Sequence, residues 1–396
     1  MNSIAARPNS LGLLRRGYLD PYLLIPTLAL ISLGFVMVAS ASFSYAEHRL
    51  DNELYFLKRH AVYAIIGAVA MAIGFLMPAD WWAKYSRVWM LLSIALLMLV
   101  LVPGIGREFN GSRRWLGLGG MTVQVSELVK LATIVFLASY LQKHREHMAT
   151  DKRPLGVVLG LMLTLIGLLI LEPDFGSVVV VCGIFMALLF VGGVNLRDYS
   201  VVVALGAAGL WWGAEAAPYR VARLSTFLDP WSDPFRAGYQ LTQSLIAFGR
   251  GEWWGVGLGH SIQKMSYLPE AHTDFVFAVY AEEFGFIGVL ILMAVFIALV
   301  SRIFLLSRRA MAENNWYACY VFIGVGVLLS GQAFINLGVN AGLLPTKGLT
   351  LPFVSYGGSS LICCCGAMGL LLRLSHQLHS EHGSDRVAKG GRYGAK

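Results

Sequence analysis

The feature that most constrains this chain is a series of long apolar runs separated by short polar segments. A run of about 20 apolar residues is long enough to cross the hydrocarbon core of a bilayer as an α-helix. Membrane-spanning strands alternate apolar and polar residues instead, and these runs do not. We therefore predict an all-α polytopic membrane protein with ten transmembrane helices, at about residues 20–41, 60–77, 88–103, 122–141, 155–171, 175–193, 199–215, 278–300, 317–340 and 350–373.

The charge distribution predicts the orientation of these helices. If the N-terminus is cytoplasmic, the even-numbered loops and both tails hold more than half of the 31 Lys and Arg residues, as the positive-inside rule requires. We therefore expect both termini in the cytoplasm, and the formal net charge of +8 needs no nucleic-acid partner. The first run follows Arg7, Arg15 and Arg16 and lacks a clear cleavage site, so we expect it to be retained as a span.

The spacing of the runs predicts one ten-helix domain over residues 18–375, between cytoplasmic tails at 1–17 and 376–396. A large periplasmic loop, residues 216–277, joins helices 7 and 8. It is rich in Trp and Tyr, and its segment 238–248 has the pattern of an amphipathic helix, so we expect it to fold on the membrane face. After Arg373 the chain is basic and Gly-rich, which is typical of a solvated, mobile tail.

Charged residues inside a predicted span need a partner or a function, because insertion costs about 2.5–3.5 kcal/mol for each. Glu127 and Lys130 are three residues apart in the fourth span and can pair on one helix face. Either this ion pair holds neighbouring helices together, or the two charges face a polar cavity that receives a charged headgroup. The five cysteines all fall in predicted spans, where we expect them to pack as small apolar residues.

Two outer segments carry further candidate residues. Pro173 enforces a turn between two spans, and Asp174 is placed to cap the next helix, to contact a substrate, or both. Arg113, Arg114 and Trp115 lie in the outer segment 103–120, where they either anchor the membrane interface or contact a phosphate.

The residues before the eighth and tenth spans form two further clusters. Glu270 and Asp274 precede the eighth span, where two acids either cap the helix or act as catalytic carboxylates. His272 with Asp274 matches no recognised metal motif. The segment 344–360 is rich in small residues, which either permit close helix packing or expose backbone N–H groups to an anion.

Three of these segments together resemble the SEDS family, the shape, elongation, division and sporulation proteins. They are residues 172–176, residues 268–275 with Glu282-Glu283-Phe284-Gly285 beyond them, and residues 347–360, and the resemblance extends over residues 18–375. Lys347 stands where the elongation subgroup usually has an apolar residue, so the chain is closest to the division subgroup.

The resemblance implies a peptidoglycan glycosyltransferase that polymerises lipid II at the periplasmic face of the bacterial inner membrane, at the division septum. Asp274 matches the essential loop aspartate of the family, which predicts a general base that activates the acceptor 4-hydroxyl. Undecaprenyl pyrophosphate leaves as an anion, so no second carboxylic acid is required. The candidate substrate-binding residues are Lys347, Lys130, Glu127, Arg114, Gln240, Ser355, Asp174 and His272.

The resemblance also bears on cofactors and partners. A divalent cation, Mg2+ or Mn2+, that bridges pyrophosphate and a carboxylate is compatible with this chemistry, and we expect no organic cofactor. The expected partners are lipid II, the nascent glycan strand, the class B penicillin-binding protein FtsI, and the division proteins FtsQ, FtsL, FtsB and FtsN. Two alternatives remain, a flippase that moves lipid II along the charges at Glu127 and Lys130, and a non-catalytic scaffold that recruits the division proteins.

Overall fold

The computed structural model describes residues 19–109, 111–118, 121–215, 227–236, 238–265, 267–346 and 348–393. Across these residues the chain is mostly helical, and every predicted apolar run overlaps a helix. The helices are α1 (Pro21–Leu50), α2 (Tyr55–Leu76), α3 (Ala79–Lys84), α4 (Ser86–Leu101), α5 (Val125–His144), α6 (Lys152–Leu171), α7 (Phe175–Val191), α8 (Leu196–Glu215), α9 (Tyr239–Gly251), α10 (Val276–Ala312), α11 (Trp316–Asn340) and α12 (Gly358–Tyr393).

Among the described residues, seven segments are long and apolar enough to cross a membrane. The shorter helices α4 and α7 are also apolar. A polytopic, mainly helical membrane protein is therefore confirmed, whereas the count of ten crossings stays a prediction. The seven segments are Pro21–Glu47, Tyr55–Leu76, Val125–His147, Lys152–Leu171, Val276–Ala312, Trp316–Asn340 and Gly358–Ser380.

A small sheet departs from the predicted all-α fold. Strands β1 (Gly106–Phe109), β2 (Ser112–Leu118) and β3 (Met121–Gln124) form an antiparallel sheet in the order β1-β2-β3. Gly111, with a φ of 74°, supplies the left-handed backbone of the β1–β2 turn. The strands have only 4, 7 and 4 residues, too short for alternation to stand out beside the apolar runs.

Small residues let α2 and α12 pack closely. A Cβ added at Gly74 would come within 2.8 Å of the Gly366 carbonyl oxygen, and one at Gly358 would meet the Tyr63 ring at 2.5 Å. In membranes, small residues at helix interfaces permit such close approach of two backbones. The packing interpretation of the glycines that begin α12 is therefore confirmed.

Helix α10 is broken near its start. Gly285 has a φ of 65° and a ψ of −168°, so residues 276–284 form a short helix separate from the long one that follows. The backbone of residues 252–257 bridges this break, for example through the bond from the Val256 N–H to the Glu282 carbonyl at 3.0 Å and the bond from the Phe286 N–H to the Glu252 carbonyl at 2.8 Å. Buried Glu283 accepts from Lys264 Nζ at 2.8 Å beside the break.

The basic C-terminal segment after Arg373 is helical, and the mobility that we expected for it stays a prediction. Helix α12 continues to Tyr393. Leu374 and Leu378 are buried one turn apart, so the apolar stripe of the helix extends beyond the predicted span. The amphipathic helix predicted at 238–248 is confirmed as α9. Residues 1–18 and 216–226 lie outside the described residues.

Candidate active site at one end of the helix bundle

A cavity of about 970 Å³ lies where the ends of several helices and the sheet meet. Its size is in the range of ligand-binding sites, which are typically about 300–1,000 Å³. Its lining comes mainly from loops, strands and the first turns of helices. The cavity is lined by residues that include Ser112, Arg114, Gln124, Glu127, Asp174, Gln240, Glu270, Thr273, Asp274, Thr346, Gly348, Leu349, Tyr356 and Ser359.

Asp274 lines this cavity and is half-buried. Its carbonyl oxygen accepts hydrogen bonds from Asn336 Nδ2 at 2.9 Å and from Asn340 Nδ2 at 3.0 Å. Gly348 lies beside its carboxylate, because a Cβ added there would be 2.9 Å from Asp274 Oδ2. The N-cap of α10 is Phe275, whose side chain makes no cap hydrogen bond, so neither Glu270 nor Asp274 is the N-cap residue of this helix.

Asp174 caps α7 and belongs to a dense polar network. Its carboxylate accepts from the Ser177 N–H at 3.1 Å, from Ser177 Oγ at 2.7 Å and from Ser126 Oγ at 3.0 Å. Arg114 Nη1 lies 3.6 Å from Asp174 Oδ1. The predicted cap is therefore confirmed, and Asp174 also lines the cavity.

Arg114 reaches the cavity from β2. Its Nη2 donates to Ser112 Oγ at 2.9 Å, and its buried Nε has no hydrogen-bond partner among the described residues. A guanidinium can donate through five N–H groups, so Arg114 can bind an anion while it stays paired with Asp174. The neighbouring Arg113 pairs with Glu108 at 3.4 Å.

The predicted ion pair of α5 is confirmed. Lys130 Nζ donates to Glu127 Oε1 at 2.7 Å. Lys130 is fully buried, whereas Glu127 is 6% exposed and lines the cavity. The cavity therefore meets the carboxylate of this pair, and the ammonium group stabilises that carboxylate from behind.

Two further candidates lie at the cavity edge. Gln240 lines it from the first turn of α9. Lys347 lies outside the described residues, but its neighbours Thr346 and Gly348 both line the cavity. The segment that carries Lys347 therefore borders the site.

His272 and Ser355 are not part of the cavity lining. The His272 ring packs among Phe56, Tyr45 and Tyr356, with centroids 4.5–5.7 Å apart, and burial lowers the pKa of this imidazole. Ser355 Oγ accepts from the Leu351 N–H at 2.9 Å within a turn. Contact of either residue with substrate stays a prediction.

Glu172 is buried directly before the cavity residues Pro173 and Asp174. Neither of its carboxylate oxygens has a hydrogen-bond partner among the described residues. Burial, with a smaller contribution from the nearby Asp174 charge, raises the pKa of Glu172 to about 8. This carboxyl is therefore mostly protonated at neutral pH.

Sequence reasoning missed Asn336 and Asn340, which hold the Asp274 backbone. The available signal was two amide side chains four residues apart in an apolar span, which places them on one helix face. The described residues contain no group of three or more His, Cys, Asp and Glu side chains able to hold a metal ion.

The family model of the cell cycle proteins FtsW, RodA and SpoVE matches residues 21–380. A probable peptidoglycan glycosyltransferase FtsW from Saccharophagus degradans is 48% identical over 353 residues, 89% of this chain and 91% of the relative. The protein of the same name from Pseudomonas fluorescens is 47% identical over 369 residues, 93% of this chain and 91% of the relative.

Solved structures resemble the fold as well. A chain from a peptidoglycan synthase complex, described for its coordination of polymerization and crosslinking, superposes with a TM-score of 0.74 at 30% identity, over 91% of this chain and 98% of that chain. The rod shape determining protein RodA of Thermus thermophilus superposes with a TM-score of 0.66 at 30% identity, over 91% of this chain and 97% of that chain.

Proposed function

This chain belongs to the FtsW, RodA and SpoVE family of cell cycle proteins, and we propose that it is a peptidoglycan glycosyltransferase that polymerises lipid II during septal wall synthesis. The observation that carries the proposal is the position of Asp274 on the wall of a cavity of about 970 Å³ at one end of the helix bundle. Relatives named as glycosyltransferases over about nine-tenths of the chain support the reaction class.

The proposed reaction joins a growing glycan to an incoming lipid II. The acceptor 4-hydroxyl oxygen attacks the anomeric carbon of the donor and forms the new glycosidic bond. At the same time the bond from that carbon to the pyrophosphate oxygen breaks, and undecaprenyl pyrophosphate leaves with the electron pair. Asp274 takes the hydroxyl proton as the general base.

Binding of the pyrophosphate is assigned to cations at the cavity. Arg114 supports this role because it lines the cavity and its guanidinium carries five N–H donors. A phosphate oxygen would accept a hydrogen bond from this guanidinium, and the bond would strengthen as charge develops on the leaving group. Lys347 is the second proposed cation, from the bordering segment 345–350, and Gln240 and Glu127 are proposed sugar or headgroup contacts.

We propose a divalent cation, Mg2+ or Mn2+, only as an ion that would bind together with the substrate. The carboxylates that line the cavity are hard oxygen ligands of the type these ions prefer. Because the described residues contain no three-ligand cluster, the pyrophosphate oxygens would have to supply much of the coordination. We assign no reaction step to the ion.

The proposed topology has ten crossings, cytoplasmic termini and a periplasmic cavity in the bacterial inner membrane. The cavity-lining residues of the segments 112–115, 173–174, 270–275 and 345–349 fall in outer loops of this arrangement, and the other lining residues fall in its loop 216–277 or in the outer halves of predicted spans. A crosslinking partner follows from the chemistry, because new glycan strands must be crosslinked as they form. We propose the class B penicillin-binding protein FtsI as this partner, with FtsQ, FtsL, FtsB and FtsN as further division partners.

The test is polymerisation of purified lipid II by the protein with FtsI in detergent, wild type beside Asp274→Ala. We expect long glycan from the wild type and none from a well-folded variant. A lipid II flippase would translocate lipid II in vesicles and make no polymer, and it would depend on Glu127 and Lys130 more than on Asp274. A scaffold would tolerate Asp274→Ala.

A further inference from the structure

Two amide side chains on α11 contact the backbone of the proposed base. Asn336 and Asn340 lie one helical turn apart, and they are 2% and 0% exposed. The Nδ2 groups of both donate to the carbonyl oxygen of Asp274, at 2.9 and 3.0 Å. A carbonyl oxygen has two lone pairs, so these two bonds fill its acceptor capacity.

The same amides also bind the other elements of the site. Asn336 Nδ2 donates to the Leu349 carbonyl at 2.6 Å, which holds the segment that passes Gly348 beside the Asp274 carboxylate. Asn340 Oδ1 accepts from the Ala278 N–H at 3.1 Å in the first turn of α10. These two side chains therefore join the base, its helix and the segment next to Lys347.

Apolar packing alone does not require such residues. A buried amide without partners costs free energy, and a leucine of similar size would fill the same space. The Asn336 amide donates to the backbone carbonyls of Asp274 and Leu349. The Asn340 amide donates to the Asp274 carbonyl and, within α11, to the Asn336 carbonyl at 2.9 Å. Backbone positions set by several bonds are well suited to hold a reacting group to within a fraction of an ångström.

We propose that Asn336 and Asn340 are positioning residues that hold Asp274 and the segment 348–350 at a fixed distance from each other. This inference rests on the proposed function, since it assigns the two amides a role in the turnover of the glycosyltransferase. They act through Asp274 and do not contact the substrate.

The experiment measures the turnover number and KM for lipid II with wild type, Asn336→Leu, Asn340→Leu and Gln332→Leu, each in complex with FtsI. Gln332 is the matched control, because it lies one turn before Asn336, is fully buried, and has no side-chain hydrogen bond among the described residues. We expect turnover to fall about 10- to 100-fold in both Asn variants with KM within about twofold, since a shift of about 1 Å has effects of this size. Gln332→Leu should keep wild-type turnover.

A double variant separates positioning from a general structural role. If Asn336 acts through Asp274, Asp274→Asn with Asn336→Leu should turn over no more slowly than Asp274→Asn alone. Multiplied losses, or equal losses in Gln332→Leu, would overturn the inference. If Asn336→Leu does not purify as a monodisperse protein, Asn336→Ser, which shortens the donor, replaces it in the same measurements. An inactive wild type would refute the proposed function itself, whereas an active wild type with fully active Asn variants would refute only this inference.

Discussion

The cavity has two walls that are held in opposite ways. The first wall, residues 112–130 and 172–177, is held by its charged side chains, as in the 3.6 Å contact of Arg114 with Asp174 and the 2.7 Å bond of Lys130 to Glu127. The second wall, residues 270–275 and 345–360, is held through its backbone, as in the two bonds to the Asp274 carbonyl and the bond from the Tyr356 N–H to the His272 carbonyl at 2.9 Å.

This difference separates stability from chemistry. In the first wall the carboxylates stabilise the fold, so a substitution there changes the fold and the reaction together. In the second wall the backbone of Asp274 is fixed by other residues, so its side chain can be changed while the surrounding structure is kept. Stability and turnover measured on the same variants therefore test the comparison.

The largest expected loss of stability is in the first wall, at Lys130→Met. Removal of one partner of a buried ion pair leaves the other charge uncompensated, at a cost of about 3–5 kcal/mol. The double variant Glu127→Gln with Lys130→Met removes both charges and should recover most of this loss. Thermal denaturation in detergent measures the melting midpoints. A Lys130→Met variant as stable as the wild type would contradict a stabilising role for the Glu127–Lys130 ion pair.

The largest expected loss of turnover is in the second wall, at Asp274→Asn. General base catalysis contributes about 10²–10⁴-fold, so turnover should fall at least about 100-fold. The denaturation midpoint should stay close to that of the wild type, because the backbone bonds of residue 274 do not involve the changed atoms. Polymerisation activity and thermal denaturation, measured on the same preparation of Asp274→Asn, test this prediction. A clear drop in the melting midpoint would contradict the proposed difference between the two walls.

A smaller effect is expected for Asp174→Ala. The variant loses the cap of α7, which typically contributes about 0.5–2 kcal/mol. Asp174→Asn is the matched control, because asparagine caps helices equally well but cannot pair with Arg114. The difference between the two melting midpoints gives the cap with any hydroxyl bond that the amide oxygen keeps. The remaining loss in Asp174→Asn gives the ion pair with the hydroxyl bonds that the amide loses. Equal midpoints for both variants would show that the cap contributes nothing.

Much of the fold could be predicted because bilayer thickness fixes the length of an apolar run. The start of α12 is an exception, since the predicted run began at 350 and the helix begins at Gly358. Residues 350–357 are apolar enough to continue the run, but they form turns, as at Ser355. The break of α10 at Gly285 could not be predicted either, because a glycine inside an apolar run does not change its hydropathy pattern.

Individual residues of the candidate site could be predicted from the sequence, but the contacts between distant segments could not. Local spacing was enough for the Glu127–Lys130 pair and for the Asp174 cap, whose partners lie within three residues. The contact of Arg114 with Asp174 joins segments 60 residues apart, and that of Asn336 with Asp274 joins segments 62 apart. Such contacts depend on how the helices pack, which one sequence does not specify.

Glu172 offers the sharpest test of the first wall, because it is the exception there. The carboxyl is buried without a hydrogen-bond partner among the described residues, and burial raises its pKa from the ordinary 4.5 to about 8. Between these two values the folded chain keeps a proton that the unfolded chain releases. Stability should therefore fall as the pH rises through this window, by at most about 1.4 kcal/mol per pH unit.

Glu172→Gln removes this proton exchange and keeps the shape of the side chain. We expect the melting midpoint of the wild type to fall between pH 6 and pH 8 more steeply than that of the variant, and the variant to be the more stable protein at pH 8. Differential scanning fluorimetry at both pH values measures this change. If the two proteins show the same pH dependence, the Glu172 carboxylate is stabilised like Asp174 and the first wall has no exception. If they differ as expected, this wall tolerates a buried carboxyl only in its neutral form, because its available donors already bind Asp174 and Glu127.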